Sequence, residues 1–456
     1  NHFQNVQKAN FNSGLIPSSF SLYAQNWVEM SKVVASDRDT STLFGYSVSI
    51  SGEYAVVGAC YEKKDVNGAN KLFAAGAAYI YKHNAVTCKW DFRQKLTAPY
   101  RAKYDYFGQS VSISGNHIVV GTMSDDEDEN EANFLQGSGS AYIYELDPIT
   151  DTWNLQQKVV PNDRIAGSCL GAAVSIDGDY MVLSGCKNGT DVNGLNPMSD
   201  VGEAYIFKRN SVTNKWTQQQ KIVASDRTSG DHFGISASIS GNHVIIGAQD
   251  ESEDANGLNK ISNAGSSYIY ELNTSTNTWS QQQKIVASDR TIYDQFGYAV
   301  SISGDYLVVG VNQNSTDENG LNSIYHAGAA YIYKRNALTN TWGQQQKIVS
   351  SNRVWGGIFG WSVAISGNTI VATGENGAGS GYVFERNTVT DTWKEQQTIL
   401  NSDNPGYGQF GMSASITNKY IFVGGGSSTD LNNSNPIPGA SAAYIFVAIY
   451  CLPLRQ

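Results

Sequence analysis

Between Phe44 and Ser51 large and small side chains alternate without a break. Phe44, Tyr46, Val48 and Ile50 face one way and Gly45, Ser47, Ser49 and Ser51 the other, the period-two pattern of a strand with one face free of bulk. A Ser-Gly turn follows, then a short apolar run, EYAVVGA (53–59), a long polar loop, a third run, AAYIYKHN (77–84), and a fourth opened by Trp90. Runs of this kind, separated by Gly, Asn, Asp and Ser clusters and with no helical period anywhere, predict an all-β protein.

The four runs recur. Gly45 has counterparts at Gly108, Gly171, Gly234, Gly297, Gly360 and Gly411, the first five intervals being 63 residues and the last 51, so the sixth unit is shortened. The Trp-led run reads WVEMSKVV from Trp27, WDFRQKLT from Trp90, WNLQQKVV from Trp153, WTQQQKIV from Trp216, WSQQQKIV from Trp279, WGQQQKIV from Trp342 and WKEQQTIL from Trp393. Seven of the nine tryptophans therefore belong to the scaffold; Trp355 and Trp361, both in the sixth unit, stand outside the pattern. Seven units of four strands predict one seven-bladed β-propeller over residues 26–456. Residues 1–25 lie outside the repeat and are expected to form an extension packed on the body or on a neighbouring copy. The last unit stops after AAYIFVAIY (442–450) with no Trp-led run, whereas the run from Trp27 to Val34 has no unit of its own. Pairing the two removes open sheet edges, so the N-terminal strand is predicted to be the outer strand of the last blade.

Composition narrows the function. With 41% hydrophobic residues the chain can build a packed core, and it contains no apolar run long enough to span a bilayer. A net charge of −10 and the lack of a basic run argue against nucleic acid as a partner. The 45 glycines, 26 tyrosines and many Asn, Ser and Thr are typical of extracellular β-proteins. The chain begins at Asn1 rather than Met, which fits a removed leader or a trimmed chain. A secreted or cell-surface location is expected. Of the five cysteines, Cys169 and Cys186 flank a hairpin read as turning at Asp177-Gly178. If Ile176 faces Asp179, the two cysteines face each other, and cross-strand neighbours about 4.5–5.5 Å apart are within disulfide reach. A Cys169–Cys186 disulfide is expected, two buried thiols being the alternative; Cys60, Cys88 and Cys451 are unassigned.

With FG at 44–45, 107–108, 233–234, 296–297, 359–360 and 410–411 and VVGA-like runs about a dozen residues later, the chain resembles FG-GAP repeat proteins, especially the bacterial type. The resemblance covers residues 27 to 447 and implies the propeller fold. It extends distantly to the integrin α-subunit propeller, a secreted adhesion module whose repeats carry a DxDxDGxxD calcium loop between the FG and GAP strands. Here that place holds only short turns, SGEY (51–54) or SGNH (114–117) for example, so those calcium sites do not carry over.

A different motif recurs between the second and third runs: DVNGAN (65–70), DVNGLN (191–196), DANGLN (254–259) and DENGLN (317–322). Asp65, Asn67, Asp191, Asn193, Asp254, Asn256, Asp317 and Asn319 offer hard oxygen ligands, which makes calcium the candidate cofactor. The same residues suit a turn in which Asp bonds its own backbone and Gly takes a positive φ. An arginine recurs seven residues before six of the seven central glycines, Arg227 and Arg290 among them, commonly after an aspartate, with Asn404 in the seventh unit. It reads either as a cationic ring for an acidic ligand or as an Asp–Arg staple between blades. Residues that break the repeat are stronger candidates for a specific site: Trp355, Trp361, Tyr104, Tyr293, His232 and the acidic stretch SDDEDENE (124–131). Trp355 and Trp361 also suit the filling of space left by the shortened loop. No nucleophile elbow, zinc motif or phosphate loop is present.

The expectation is a non-enzymatic binding or adhesion module that recognises carbohydrate or protein through one face. A structural subunit of an extracellular assembly, self-associating through residues 1–25, is the alternative, and a polysaccharide-acting enzyme ranks third.

Overall fold

The computed structural model describes residues 26–374, 379–402, 409–426 and 429–449. Residues 1–25, Cys451 and the Asp403-Asn404 pair lie outside them. The described strands form seven four-stranded antiparallel sheets, each running from an inner strand to an outer one. Blade 1 comprises Ser47–Ser51, Tyr54–Ala59, Ala77–Asn84 and Lys89–Leu96. Blades 2 to 6 repeat that order; their outer strands are Thr152–Val159, Trp216–Ile222, Thr278–Ile285, Thr341–Ile348 and Thr392–Ile399. Blade 7 takes Ser413–Ile416, Tyr420–Gly424 and Ala443–Ala448 from the end of the chain and Trp27–Val33 from its beginning, with Trp27 opposite Ala448. The predicted closure is therefore the observed one. No described helix is long and apolar enough to cross a membrane.

The small face of each inner strand explains itself in the joint between blades. Ile113 N–H donates to Ser49 Oγ at 3.1 Å, Ile176 N–H to Ser112 Oγ and Ile239 N–H to Ser175 Oγ, and Ile50 N–H to Ser415 Oγ across the closure. An inner strand has no strand neighbour on its axial side, so its N–H groups need partners, and the preceding blade's serines supply them. The FG glycine allows the approach. Gly108 has φ +86°, and a Cβ there would lie 2.4 Å from the Ala77 carbonyl oxygen.

Farther out the joint is apolar. Val56, Ile80 and Leu96 of blade 1 pack with Ile113, Val120, Tyr142 and Trp153 of blade 2 in one cluster, and equivalent clusters fill the other joints. Six of the seven repeat tryptophans meet a ring from the preceding blade. Tyr54 on Trp153, His117 on Trp216, Tyr180 on Trp279 and His243 on Trp342 have centroids 5.4–5.7 Å apart. For Trp27 that place in the sequence pattern of the preceding blade holds Thr369. His117 and His243 are thus scaffold residues. In blades 1 to 6 the glutamine four positions after the outer-strand tryptophan clamps the next blade; blade 7 has Ser31 there. Gln94 Nε2 donates to Trp153 O and Gln94 Oε1 accepts from Trp153 N–H, both at 2.8 Å. Gln157, Gln220, Gln283 and Gln346 do the same to the next tryptophan, and Gln397 does so to Trp27.

The expected disulfide is not formed: Cys169 and Cys186 are both free. The hairpin turns one residue later than supposed, pairing Asp177 with Tyr180 and placing Gly178, at φ +56°, at the first central position. That shifts the register by two, and Gly171 rather than Cys169 falls opposite this end of the strand, its N–H bonded to Ser184 O. Burial pushes the Cys186 thiol up to about 11.

Gln397→Ala removes the two bonds that clamp Trp27 to blade 6. We expect a loss of about 1–3 kcal/mol in urea denaturation, with amide exchange accelerated most in residues 27–33.

Candidate functional site

Antiparallel blades put the blade-to-blade connections and the loops between second and third strands on one face, and the two kinds of tight turn on the other. Bonds between a connection and the loop behind it confirm the grouping. Arg290 donates to Asn259 O at 3.2 Å and Ser252 O at 2.7 Å, and Arg353 to Asn322 O at 2.9 Å and Ser315 O at 2.7 Å. Arg227 makes a single longer bond, 3.4 Å to Asn196 O, and lines a crevice of about 750 Å³ with Lys221, Asp226, Trp279 and Gln281. The arginines thus address the blade behind. The aspartate before each addresses the blade ahead: Asp226 Oδ1 accepts from Tyr268 OH at 2.8 Å and Asp226 Oδ2 lies 2.7 Å from Lys284 Nζ. The dipeptide links neighbouring blades, its two halves pointing to different blades instead of pairing with each other.

The staple ends in a cluster the sequence did not reveal. In blades 1 to 5 a lysine of the outer strand is buried beneath the face with its ammonium over a tyrosine ring, against two carboxylates in blades 1 to 4 and against Asp289 and the Thr316 hydroxyl in blade 5. Lys284 sits 2.7 Å from Asp226, 3.4 Å from Glu251 and 5.5 Å from the Tyr268 centroid. Asp226, Glu251 and Glu253 are close enough to share a metal ion, yet Lys284 already supplies a cation to two of them. In blade 2 Tyr100 replaces the aspartate, and the acidic stretch compensates: Lys158 lies 3.0 Å from Asp125 and 3.2 Å from Glu131. Much of that stretch therefore serves the scaffold.

The DxNG loops take the turn geometry. Asp65 Oδ1 accepts from Asn67 N–H and Ala69 N–H at 2.9 Å, and Oδ2 from Asn70 Nδ2 at 2.5 Å. Asp191, Asp254 and Asp317 are bonded in the same way. Bonds from Ala69 and Asn70 hold the Asp65 carboxyl below the usual range. Asn67, Asn193, Asn256 and Asn319 each give a backbone N–H to their own aspartate. A calcium ion bound here competes with these bonds for the carboxylate oxygens.

The repeat-breaking residues separate into three groups on this face. At the joint of blades 5 and 6, Trp355 and Tyr325 are 75% and 55% exposed, with rings 5.7 Å apart and 23° from parallel. His326 stacks on Tyr325 at 3.7 Å, and Gly356 N–H donates to Tyr325 O at 2.9 Å, tying the connection to the loop beneath. Tyr325 and His326 were missed in sequence because the polar loop there has little pattern of its own. Trp355 is far too exposed to be a space-filler. Trp361 is half-buried against Tyr298, centroids 4.8 Å apart. The second group lies between blades 1 and 2, where Tyr104 meets Phe73 edge-on at 5.4 Å, both exposed.

The third group is polar. His232 Nδ1 lies 2.8 Å from Asp250 Oδ2, and its Nε2 lies 3.7 Å from Asp200. Asn263 and Gln295 also donate to Asp250, at 2.8 and 3.1 Å. Burial alone raises the Asp250 pKa, but bonds from His232, Asn263, Gln249 and Gln295 outweigh it and bring the carboxyl to about 2. With a carboxylate beside each ring nitrogen, His232 is clasped in place rather than set against a nucleophile. Tyr293, in the next connection, is exposed and belongs to neither aromatic group.

Two predictions concern this face. Millimolar calcium or EDTA should move Tm by less than about 1 °C in differential scanning calorimetry, since the aspartates are already bonded; a calcium-dependent rise shows that the loops open to hold the ion. Asp105 is buried at the start of blade 2, and burial, with Asp125 and Glu127 nearby, raises its pKa from 3.8 to about 7. The unfolded chain gives up that proton first, so this group lowers stability progressively from about pH 4 to pH 7, by at most about 4 kcal/mol. Asp105→Asn keeps the acceptor for Ala102 N–H. It should raise Tm at pH 8 and have no effect near pH 4.

A sequence profile of the FG-GAP repeat matches residues 27–81, 90–144, 153–207, 216–270, 279–333 and 342–384. Each matched unit opens on the outer strand of one blade and closes in the third strand of the next, so the repeat in sequence straddles the joint in space. Among solved structures the chain is similar to a protein from Lactobacillus plantarum whose crystal structure was determined by a structural genomics consortium. The TM-score is 0.51 at 10% identity, over 86% of this chain and 99% of that one, a likeness of fold alone. No curated protein matches. The matched units take up well over half of the chain, which belongs to the FG-GAP repeat family.

Proposed function

We propose that the protein is a non-enzymatic recognition module that binds carbohydrate through the face bearing its connections and long loops. The observation that carries this reading is the exposed Tyr325–Trp355 pair. Two flat rings, nearly parallel and mostly in water, contribute little to the core, and they present a surface on which the apolar face of a sugar ring can stack. His326 stacks on Tyr325 and Gly356 N–H donates to Tyr325 O, which fixes the pair in place. The Phe73–Tyr104 pair offers a second, smaller contact on the same face.

A secreted or cell-surface location accords with this reading and rests on the Asn-, Ser-, Thr- and Gly-rich composition. The disulfide that supported it is not formed.

A glycan array followed by titration calorimetry tests the proposal. Trp355→Ala and Tyr325→Ala should each weaken the best-bound glycan by about tenfold or more while leaving Tm within about 1 °C, because both rings are exposed. Unchanged affinity in both variants, or an array without a bound glycan, refutes it.

A further inference from the structure

The opposite face carries a feature that neither the folding of the blade nor the aromatic shelf accounts for. In blades 1 to 6 the third and outer strands are joined by a short turn capped by Asn or Asp. In blade 1, Asn84 Oδ1 accepts from Val86 N–H at 3.0 Å and Thr87 N–H at 3.1 Å. Asp147, Asn210, Asn273, Asn336 and Asn387 cap their turns in the same way. The residue at each tip is turned outward: Val86, Ile149, Val212, Ser275, Leu338 and Val389 in order. The five aliphatic ones are 86–97% exposed.

Apolar residues scattered singly on a surface need no explanation. Here one position carries an aliphatic side chain in five of six turns, its identity drifting among Val, Ile and Leu while its character holds. The neighbour before it has drifted freely, through Ala85, Pro148, Ser211, Thr274, Ala337 and Thr388. A side chain so exposed is not held by packing in its own blade.

The tips are also prepared to leave water. The cap satisfies the backbone N–H of the tip residue and of the threonine after it, so these donors are not stranded in an apolar medium. In four turns the threonine hydroxyl is bonded to a second one, as Thr339 is to Thr341 at 2.8 Å. No charged residue occupies a tip or the position on either side of it.

A second protein, a second copy included, is the poorer partner. The side chains stand on separate blades and form no contiguous patch, whereas a stable interface needs roughly 800 Å² of complementary surface on each partner and draws its strength from Trp, Tyr and Arg. A lipid surface requires no complementary shape, and separate small insertions into it act together. The net charge of −10 works against attraction to anionic lipid. We propose that this face docks on an uncharged, zwitterionic lipid surface by inserting Val86, Ile149, Val212, Leu338 and Val389, which leaves the aromatic shelf facing away from the lipid.

The test is flotation of the full chain with phosphatidylcholine vesicles, beside a variant carrying Val86→Ser, Ile149→Ser, Val212→Ser, Leu338→Ser and Val389→Ser. Ser275 already occupies this position in blade 4, with its N–H on Asn273 Oδ1 at 3.0 Å, so the turn accepts serine. The native chain should float and the variant should partition about tenfold less or weaker still, with equal circular dichroism and Tm and no response to added salt. The proposal is overturned if the native chain stays in the dense fraction, or if the variant floats equally well. It is also overturned if binding needs anionic lipid and disappears in salt. The same holds if sedimentation shows a native dimer that the serine variant dissolves, which assigns the ring of tips to self-association.

Discussion

Everything in this molecule depends on how closely one inner strand can approach the next. The approach requires a glycine at the FG turn, where a Cβ would collide with the neighbouring backbone, and hydroxyls short enough to reach its N–H groups. Once that spacing is set, the wedge between blades is set too, and the joint must be filled outward by progressively larger groups. Aliphatic side chains come first, then the tryptophan with its preceding-blade ring, then the glutamine clamp at the rim. The repeated motifs are these three layers read along the chain. Because each layer spans two blades, the natural unit of sequence is a joint and not a blade.

Above the apolar layers the joints change chemistry without changing logic. A buried lysine gathers the carboxylates of the connection and the adjoining loop, and the aspartate and arginine of each connection divide their attention between the blade ahead and the blade behind. An ammonium on a side chain is a cation delivered with the fold. It organises the loops without an ion having to be found in solution. Blade 2, where Tyr100 displaces the aspartate, shows that the constraint is the charge and not the position it comes from: Glu131 supplies it from another loop.

The period, the seven blades and the ring closure were legible in sequence, because each is a matter of spacing, and spacing survives translation into three dimensions. Direction survives less well. Asp226 and Arg227 are neighbours in the chain and looked like a pair, yet successive side chains in a connection diverge. The Cys169–Cys186 register failed because a hairpin displaced by one residue shifts every cross-strand partner by two. Trp355 was identifiable as a break in the repeat, but its companions Tyr325 and His326 lie in a loop whose sequence is free to vary, so only the folded chain shows that the three rings meet.

The seam that closes the ring also has a history during synthesis. Trp27 is fastened to Gln397, 370 residues farther along. At about 5–20 residues per second, the first strand waits roughly twenty to eighty seconds on the ribosome before its clamp exists. Throughout that time it is an unpaired strand, the kind of segment that recruits others of its kind. Its sequence, WVEMSKV, breaks the apolar run with Glu29, Ser31 and Lys32, and in the finished ring Glu29 accepts from Ser402 and Lys32 donates to Thr429. The charges that hold the strand in its final place are thus the same ones that keep it solitary until that place has been made.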